Sequence, residues 1–393
     1  MKEVVIADYL RTPFSRSRPK EPEKDKFNQY RMDELCARLV KTLVERNRLN
    51  QEEIGDCITG CALGVAEQWL YGGRIIPILA GLSVHVPATQ VDRQCGSSMT
   101  AIHNGTMEIQ TGNSDIVIAA GMEHMTHVPM ADNPHFLPNL NVLKQAKYDM
   151  QTGFVMGQTA EKLATVERKF TREEMDEFAL ASHQKAAKAL GEGYFKDELM
   201  PVQVKSSDGS TETVDRDLSI RSDTTIEALR QLQPVFKKTG VITAGNSSPL
   251  NAGASAVILM SREKADDYGI KPLASIKSMG WAGVEPFIMG KGNVPASQKA
   301  LKMAGLKAED IDFWEINEAF AVVVLYALDK LGMDPQKVNV KGGAIAIGHP
   351  LGASGARLVG TLARILKSNN AKYGLATLCV GGGQGTAAII ERE

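Results

Sequence analysis

Two stretches of this chain repeat each other. Leu49-Asn-Gln-Glu-Glu-Ile54 aligns without a gap on Leu306-Lys-Ala-Glu-Asp-Ile311, and the same number of positions separates Ile54 from Ser97 and Ile311 from Ser354. Each serine sits in a Gly/Ser-rich helix start, Cys95-Gly-Ser-Ser and Gly352-Ala-Ser-Gly, and each helix leads into a strand ending in glycine, at Gly121 and Gly381. Two anchors at equal separation point to duplicated halves. Recurring αβ units of separate origin are the alternative.

Around these anchors short apolar runs alternate with amphipathic stretches, the pattern of an α/β fold with largely buried sheets. Residues 4–7, 56–60, 115–120, 254–260, 312–315 and 375–380 read as strands, and 32–47, 97–110, 172–190, 294–303, 319–331 and 354–367 as helices. Between 121 and 248 the chain becomes polar, Met-rich and loop-laden, with a charged helical segment from Thr171 to Lys188. That region reads as an insertion. The division is therefore an N-terminal half (1–120 with 249–270), an inserted domain (121–248) and a C-terminal half (271–393), for which 393 residues are ample.

Charge and cysteine content narrow the function. Lys and Arg number 45 against 46 Asp and Glu, which removes the overall positive field of non-specific nucleic-acid binding but leaves room for a local basic patch. Five cysteines, at 36, 57, 61, 95 and 379, are too few and too scattered for a disulfide scaffold, so a reducing, cytoplasmic setting is expected. No second Cys/His pair at ligand spacing follows Cys57 and Cys61, and no metal site is expected. The chain starts on a strand pattern, shows no leader and contains no run of 18 apolar residues, so no membrane span is expected. Gly383-Gln-Gly385-Thr-Ala-Ala388 fits a dinucleotide fingerprint, but only five residues follow it, too few for the helix and strand a Rossmann unit needs. No Walker A sequence is present.

Four segments can carry chemistry. Val91-Asp-Arg-Gln-Cys95-Gly-Ser-Ser-Met99 puts a cysteine between a strand end and a helix N-terminus, where free N–H groups and the helix dipole favour a thiolate. Cys95 is a candidate nucleophile; a small buried hydrophobe is the bland alternative. His349, in a glycine-rich turn before a helix, is a candidate base for that thiol or else a structural histidine. Cys379 repeats the design at the end of the corresponding strand. Asn317-Glu318 follows another strand, where α/β sheets bind ligands, although Asn317 also suits a plain helix cap.

Taken together, five ordered blocks resemble the thiolase family over essentially the whole chain. They are Gln94-Cys95-Gly-Ser-Ser98, Thr243-Ala-Gly-Asn-Ser-Ser248, Asn317-Glu-Ala-Phe320, Gly342-Gly-Ala-Ile-Ala-Ile-Gly-His349-Pro-Leu-Gly-Ala-Ser-Gly355 and Leu378-Cys379-Val-Gly-Gly-Gly-Gln-Gly385. The resemblance implies a duplicated αβαβα layered fold with the insertion as a loop domain over coenzyme A. It implies an acyltransferase that cleaves 3-ketoacyl-CoA with coenzyme A to acetyl-CoA and a shortened acyl-CoA. In that scheme Cys95 carries the acyl group as a thioester, His349 takes its proton, and Cys379 is the second acid/base at the α-carbon. Asn317 would hold a water that forms one oxyanion hole with His349, and the N–H groups of Cys95 and Gly381 would form the other.

The resemblance also places Arg221 at the nucleotide end of coenzyme A, Ala244, Gly245 and Ser248 in the pantetheine loop, and Met156, Ala319 and Phe320 along the same tunnel. Coenzyme A is thus a substrate, with no permanently bound cofactor. A homodimer or homotetramer is implied, with a hydratase/dehydrogenase subunit as a candidate partner. Three departures bear on this. Val155 stands where biosynthetic members commonly have histidine; Asp92 and Gly96 stand where Asn and Ala or Ser are frequent. Glu123-His-Met-Thr-His-Val-Pro-Met130 resembles fatty-acid-oxidation thiolases. The alternatives are an acetoacetyl-CoA thiolase working in the condensing direction and a non-catalytic subunit of a fatty-acid-oxidation complex.

Overall fold

The apolar runs become strands covered on both faces. In this computed structural model, which describes residues 1–166, 169–206 and 209–393, the strands are β1 (Val4–Arg11), β2 (Ser15–Arg16), β3 (Ile54–Gly60), β4 (Ala88–Val91), β5 (Ile116–His124), β6 (Val202–Lys205), β7 (Thr211–Val214), β8 (Asn251–Ser261), β9 (Ala274–Gly283), β10 (Phe313–Ile316), β11 (Tyr373–Val380) and β12 (Gln384–Arg392). β5 and β8 are buried at every position. Strands packed on both sides need apolar residues at consecutive positions, which is why their sequences do not alternate.

The main sheet runs β10-β11-β12-β9-β1-β8-β5-β3-β4, with β2 beside β8. About the β9/β1 seam this order is symmetric. β3 pairs parallel with β5 as β10 does with β11, and β8 lies antiparallel between β5 and β1 as β12 does between β11 and β9. β3 begins at Ile54 and β10 two residues after Ile311, so the repeat anchors occupy equivalent places. At the seam only Val5 with Ser275 and Ile6 with Ala274 are in register.

Helices Ser97–Thr111 and Ser354–Ser368 pack on each other and on strands of both halves, forming a middle layer. Helix Met32–Arg46 covers the far side of β5 and β8, and helix Asn293–Ala304 the far side of β9 and β12. The result is five layers, α, β, α, β, α. A central apolar cluster containing Ile102, Val117, Leu259, Leu358 and Ile390 joins the halves, and a further cluster lies under each outer helix. The middle helices approach closely: a Cβ on Gly355 would fall 2.3 Å from the Met99 nitrogen, so only glycine fits. Beside it Ser98 Oγ accepts the Ala356 N–H at 2.9 Å.

Two strands lie where the sequence pattern is weak. β9 mixes serine and lysine with apolar residues, and β12 overlaps the glycine motif that mimics a dinucleotide site; there Gly385 pairs with Cys379 in a ladder and opens no helix. The helix expected from 319 begins at Ala321 instead. Phe320 is extended (φ −145°, ψ 148°) because it bridges to Ser247.

Residues 121–248 carry helices Met150–Gly153, Met156–Leu163, Arg172–Gly191 and Ile226–Arg230 and the β6/β7 hairpin. Helix Arg172–Gly191 starts on a capping box in which Thr171 Oγ1 accepts the Glu174 N–H and Glu174 accepts the Thr171 N–H. Arg11, at the end of β1, pins this region to the body. Its guanidinium donates to Glu198 Oε1 at 2.8 Å and to both oxygens of Asp217 at 2.6 and 2.9 Å, all three side chains being fully buried. Among the described residues no helix is long and apolar enough to cross a membrane.

Candidate active site

β4 ends at Val91, and the chain then turns sharply to reach the middle helix. Asp92 Oδ1 accepts the Gln94 N–H at 2.6 Å, Ser97 Oγ accepts the Arg93 N–H at 3.0 Å, and Gln94 adopts a left-handed φ of 45°. A non-glycine residue in that region stores strain, held here by the surrounding hydrogen bonds. Asparagine at position 92 could accept the same bond, so the Asp92 departure keeps the turn while adding a charge. Gly96 is explained by space: a Cβ there would lie 2.9 Å from Val380 and from Thr386 side-chain carbons.

This turn presents Cys95, 8% exposed, at the head of helix Ser97–Thr111. The backbone N–H groups of Gly381 and of Cys95 itself act on its sulfur in favour of the thiolate. The lowered thiol pKa expected from the helix N-terminus is not what results. Burial dominates and pushes the thiol up to about 11, with Glu123 and Asp92 adding to the rise and the two N–H groups opposing it. Cys379, at the end of β11, is fully buried, and burial together with the neighbouring Cys95 raises its thiol as well. The turn 94–96 packs on β11 and on the turn Leu351–Ala353 that follows His349.

His349 is positioned by both backbone and ring. Gly348 has φ 117°, and its missing side chain leaves room for Asn251, whose Oδ1 accepts the His349 N–H at 2.8 Å. Ser354 Oγ donates to the Pro350 carbonyl at 2.9 Å, so toward His349 Nδ1, 2.5 Å away, it acts as acceptor. The ring proton therefore sits on Nδ1, leaving Nε2 unprotonated and facing Asn317 Nδ2 at 3.2 Å. Burial pushes the imidazole down to about 3, and the Arg357 guanidinium contributes; Arg357 is itself paired with Glu315 at 2.7 Å. Asn317 Oδ1 is buried with no hydrogen-bond partner among the described residues. Cys95, Cys379, His349, Asn317 and Gly381 thus lie at or near the strand and loop ends of the two symmetric halves, the thiols raised and the imidazole lowered by burial.

That pairing has a measurable signature. Iodoacetamide alkylation of Cys95 in the free protein is expected to rise about tenfold per pH unit between about pH 7 and 10, tracking a thiolate fraction that grows toward a pKa near 11. A plateau below pH 8 would show an ion-paired thiolate instead.

A separate cleft is lined largely by residues of the segment 183–249. Arg221, Ala244 and Gly245 line it with Arg16, His183 and Ile345. The loop 243–248 is held by Asn246, which accepts the Thr243 N–H through Oδ1 and donates to Asp176. Ser248 donates its N–H to the Ala319 carbonyl at 3.0 Å, linking the loop to the segment that bears Asn317. Phe320 meets Phe236 edge to face at 6.2 Å, and Met156 packs into the same apolar cluster. Arg16 and His183 escaped the sequence reading because neither lies in a motif. Proximity of Arg18 and Arg221 pushes Arg16 below its ordinary range, after the effect of its partial burial. Clustering unneutralised guanidinium groups is unfavourable without an anion, and such clusters bind phosphate.

The duplicated five-layer fold, with a cysteine at the head of a middle-layer helix and a buried histidine–asparagine pair, defines the chain's class. Residues 4–263 match the family model for the thiolase N-terminal domain and residues 270–392 that for the thiolase C-terminal domain, so the chain belongs to the thiolase family. It is 45% identical over its full length to a 3-ketoacyl-CoA thiolase of Marinobacter nauticus, covering 98% of that protein, and 46% identical to one of Vibrio vulnificus, with both chains fully covered. Its fold superposes on human mitochondrial 3-ketoacyl-CoA thiolase in complex with CoA with a TM-score of 0.89 at 36% identity, covering all of this chain and 98% of that one.

Proposed function

We propose that this chain cleaves 3-ketoacyl-CoA with coenzyme A, on the cysteine, histidine and cysteine that meet where its two halves join. The observation that carries the reading is Cys95 acted on by the N–H groups of Gly381 and Cys95 while the unprotonated Nε2 of His349 faces Asn317. His349 takes the Cys95 proton, and the sulfur attacks the ketone carbon. The bond between the α-carbon and that carbon breaks, its electron pair leaves on acetyl-CoA as an enolate, and Cys379 supplies the proton. Coenzyme A then gives its thiol proton to the Cys379 thiolate and attacks the Cys95 thioester, and His349 returns its proton to the Cys95 sulfur as the shortened acyl-CoA leaves. The Cys95 and Gly381 N–H groups serve one developing oxyanion, and His349 with a water held by Asn317 serves the other.

The names of the similar bacterial and human proteins support 3-ketoacyl-CoA as substrate. Coenzyme-A-dependent loss of 3-ketoacyl-CoA over a chain-length series tests it. Cleavage extending beyond four carbons is expected; a strict four-carbon optimum would indicate an acetoacetyl-CoA enzyme, and no cleavage at any length would overturn the reading.

The basic rim of the cleft is assigned to the phosphates of coenzyme A. Arg221→Ala is therefore expected to raise the KM for coenzyme A about tenfold with kcat nearly unchanged, the loss shrinking at high salt. An unchanged KM would place the nucleotide elsewhere. A homo-oligomer is inferred from the edge strand β4 and the segment over it, which expose Trp69 (60%), Tyr71 and Val84. All five cysteines are free thiols, in keeping with a reducing cytoplasm.

A further inference from the structure

Glu123 is a fully buried carboxylate near the end of β5 that the reaction scheme above does not use. Every group around it donates. The Ala62 N–H and the Gly352 N–H both reach Oε2 at 3.0 Å, while the Leu63 N–H at 3.3 Å and Gln68 Nε2 at 2.6 Å reach Oε1. The Cys61 thiol points at Oε1 from 3.7 Å. Five donors crowd the four or so lone-pair sites of its two oxygens and, among the described residues, no acceptor faces it; burial raises the carboxyl to about 7, these hydrogen bonds oppose the rise, and the group is ionised above neutral pH. A neutral acid would set its own O–H against one of those N–H groups.

The donors come from opposite sides of the site. Gly352 belongs to the turn that joins His349 to its helix, a turn seated so tightly on the strand ends that a Cβ at Gly352 would lie 2.2 Å from the Met122 carbonyl oxygen. Ala62 belongs to the loop after β3, and its carbonyl accepts Gln94 Nε2 at 3.2 Å. Gln94 precedes Cys95 and is the strained residue of its turn. A continuous chain of bonds therefore runs from the Cys95 turn through Ala62 and Glu123 to the His349 turn.

We propose that Glu123 is a positioning residue that fixes the nucleophile turn against the base turn through its two oxygens and, when ionised, opposes the Cys95 thiolate. The inference rests on the assignment of Cys95 as nucleophile and His349 as base. The charge has its own consequence. The ionisable groups acting on Cys95 are Glu123, Asp92 and Cys379, and of the two carboxylates Glu123 is the buried one. Burial is the main reason the proton stays on sulfur in the free enzyme and the Glu123 charge adds to it, so the thiolate forms only as His349 takes that proton.

Glu123→Gln and Glu123→Asp separate the two roles. Gln removes the charge and turns an NH2 toward N–H donors; Asp keeps the charge but shortens the reach by one methylene. For Gln, single-turnover acylation of Cys95 by a 3-ketoacyl-CoA is expected to slow about 10²-fold, and the pH midpoint of Cys95 alkylation by iodoacetamide to fall by about one unit. For Asp, acylation slows comparably while the alkylation midpoint stays at the wild-type value. A merely structural carboxylate would move neither midpoint. If Gln does not fold, Asp carries the test alone, and full acylation by Asp overturns the proposal. Acylation within twofold of wild type in both variants, with unmoved midpoints and a wild-type adduct on Cys95, overturns this inference and leaves the catalytic assignment standing. A wild-type enzyme with no acyl adduct on Cys95 overturns both.

Discussion

Cys95→Ala is expected to leave no acyl adduct and to lose at least about 10⁴-fold in turnover, because it removes the sulfur that carries the acyl group. Cys379→Ala is expected to behave differently. It should still accumulate an acyl group on Cys95 from a shortened acyl-CoA, while carbon–carbon cleavage and condensation fall by about 10²–10⁴-fold, the usual worth of a placed acid/base. The geometry underlies the split. Cys95 stands at a helix start with N–H groups acting on its sulfur, whereas Cys379 sits inside the β11/β12 ladder opposite Gly385. Mass spectrometry of the two peptides after a brief exposure to acyl-CoA reads the outcome directly. An adduct on Cys379, or equal loss of acylation in both variants, would reverse the assignment.

The largest stability effect is expected at Arg11. Arg11→Met strands Asp217 and Glu198 in the interior without their cation, which should cost about 3–5 kcal/mol and lower the urea midpoint accordingly. The charge is also what ties residues 198 and 217 to the end of β1, so limited proteolysis within 121–248 should quicken in the same variant. A double replacement, Arg11→Met with Asp217→Asn, should recover part of the loss, since it removes one of the buried charges left behind. Unchanged stability in the single variant would mean that water reaches the cluster.

Much of this architecture was legible in the sequence. The repeat anchors Ile54 and Ile311 mark equivalent strands, and the capping box at Thr171 and Glu174 marks a helix start, because both depend on local spacing. The site was legible where glycine and cysteine clustered around Cys95, His349 and Cys379. Other features needed three dimensions. The thiol of Cys95 has its proton affinity set by burial and by Glu123, which no neighbouring residue in the chain reveals. Asn251, which carries the His349 backbone, is 98 positions away from it in sequence. Arg16 enters the basic rim from a two-residue strand with no motif of its own. β9 carries a weak signal because Ser275 and Ser278 occupy buried positions and Lys277 interrupts the run.

The placement of β8 between β1 and β5 has a consequence for synthesis. β1 ends at Arg11 and β5 at His124, yet the strand that pairs with both begins at Asn251. As the chain leaves the ribosome at about 5–20 residues per second, both strands wait seconds to tens of seconds for their partner. During that interval each presents an unpaired backbone edge flanked by apolar residues, a template for association with other nascent chains. Residues 121–248 emerge in exactly that window. A nascent chain paused before Asn251 should accordingly be captured by chaperones, and one released after Ser261 should have the strands it needs to close the first half of its sheet.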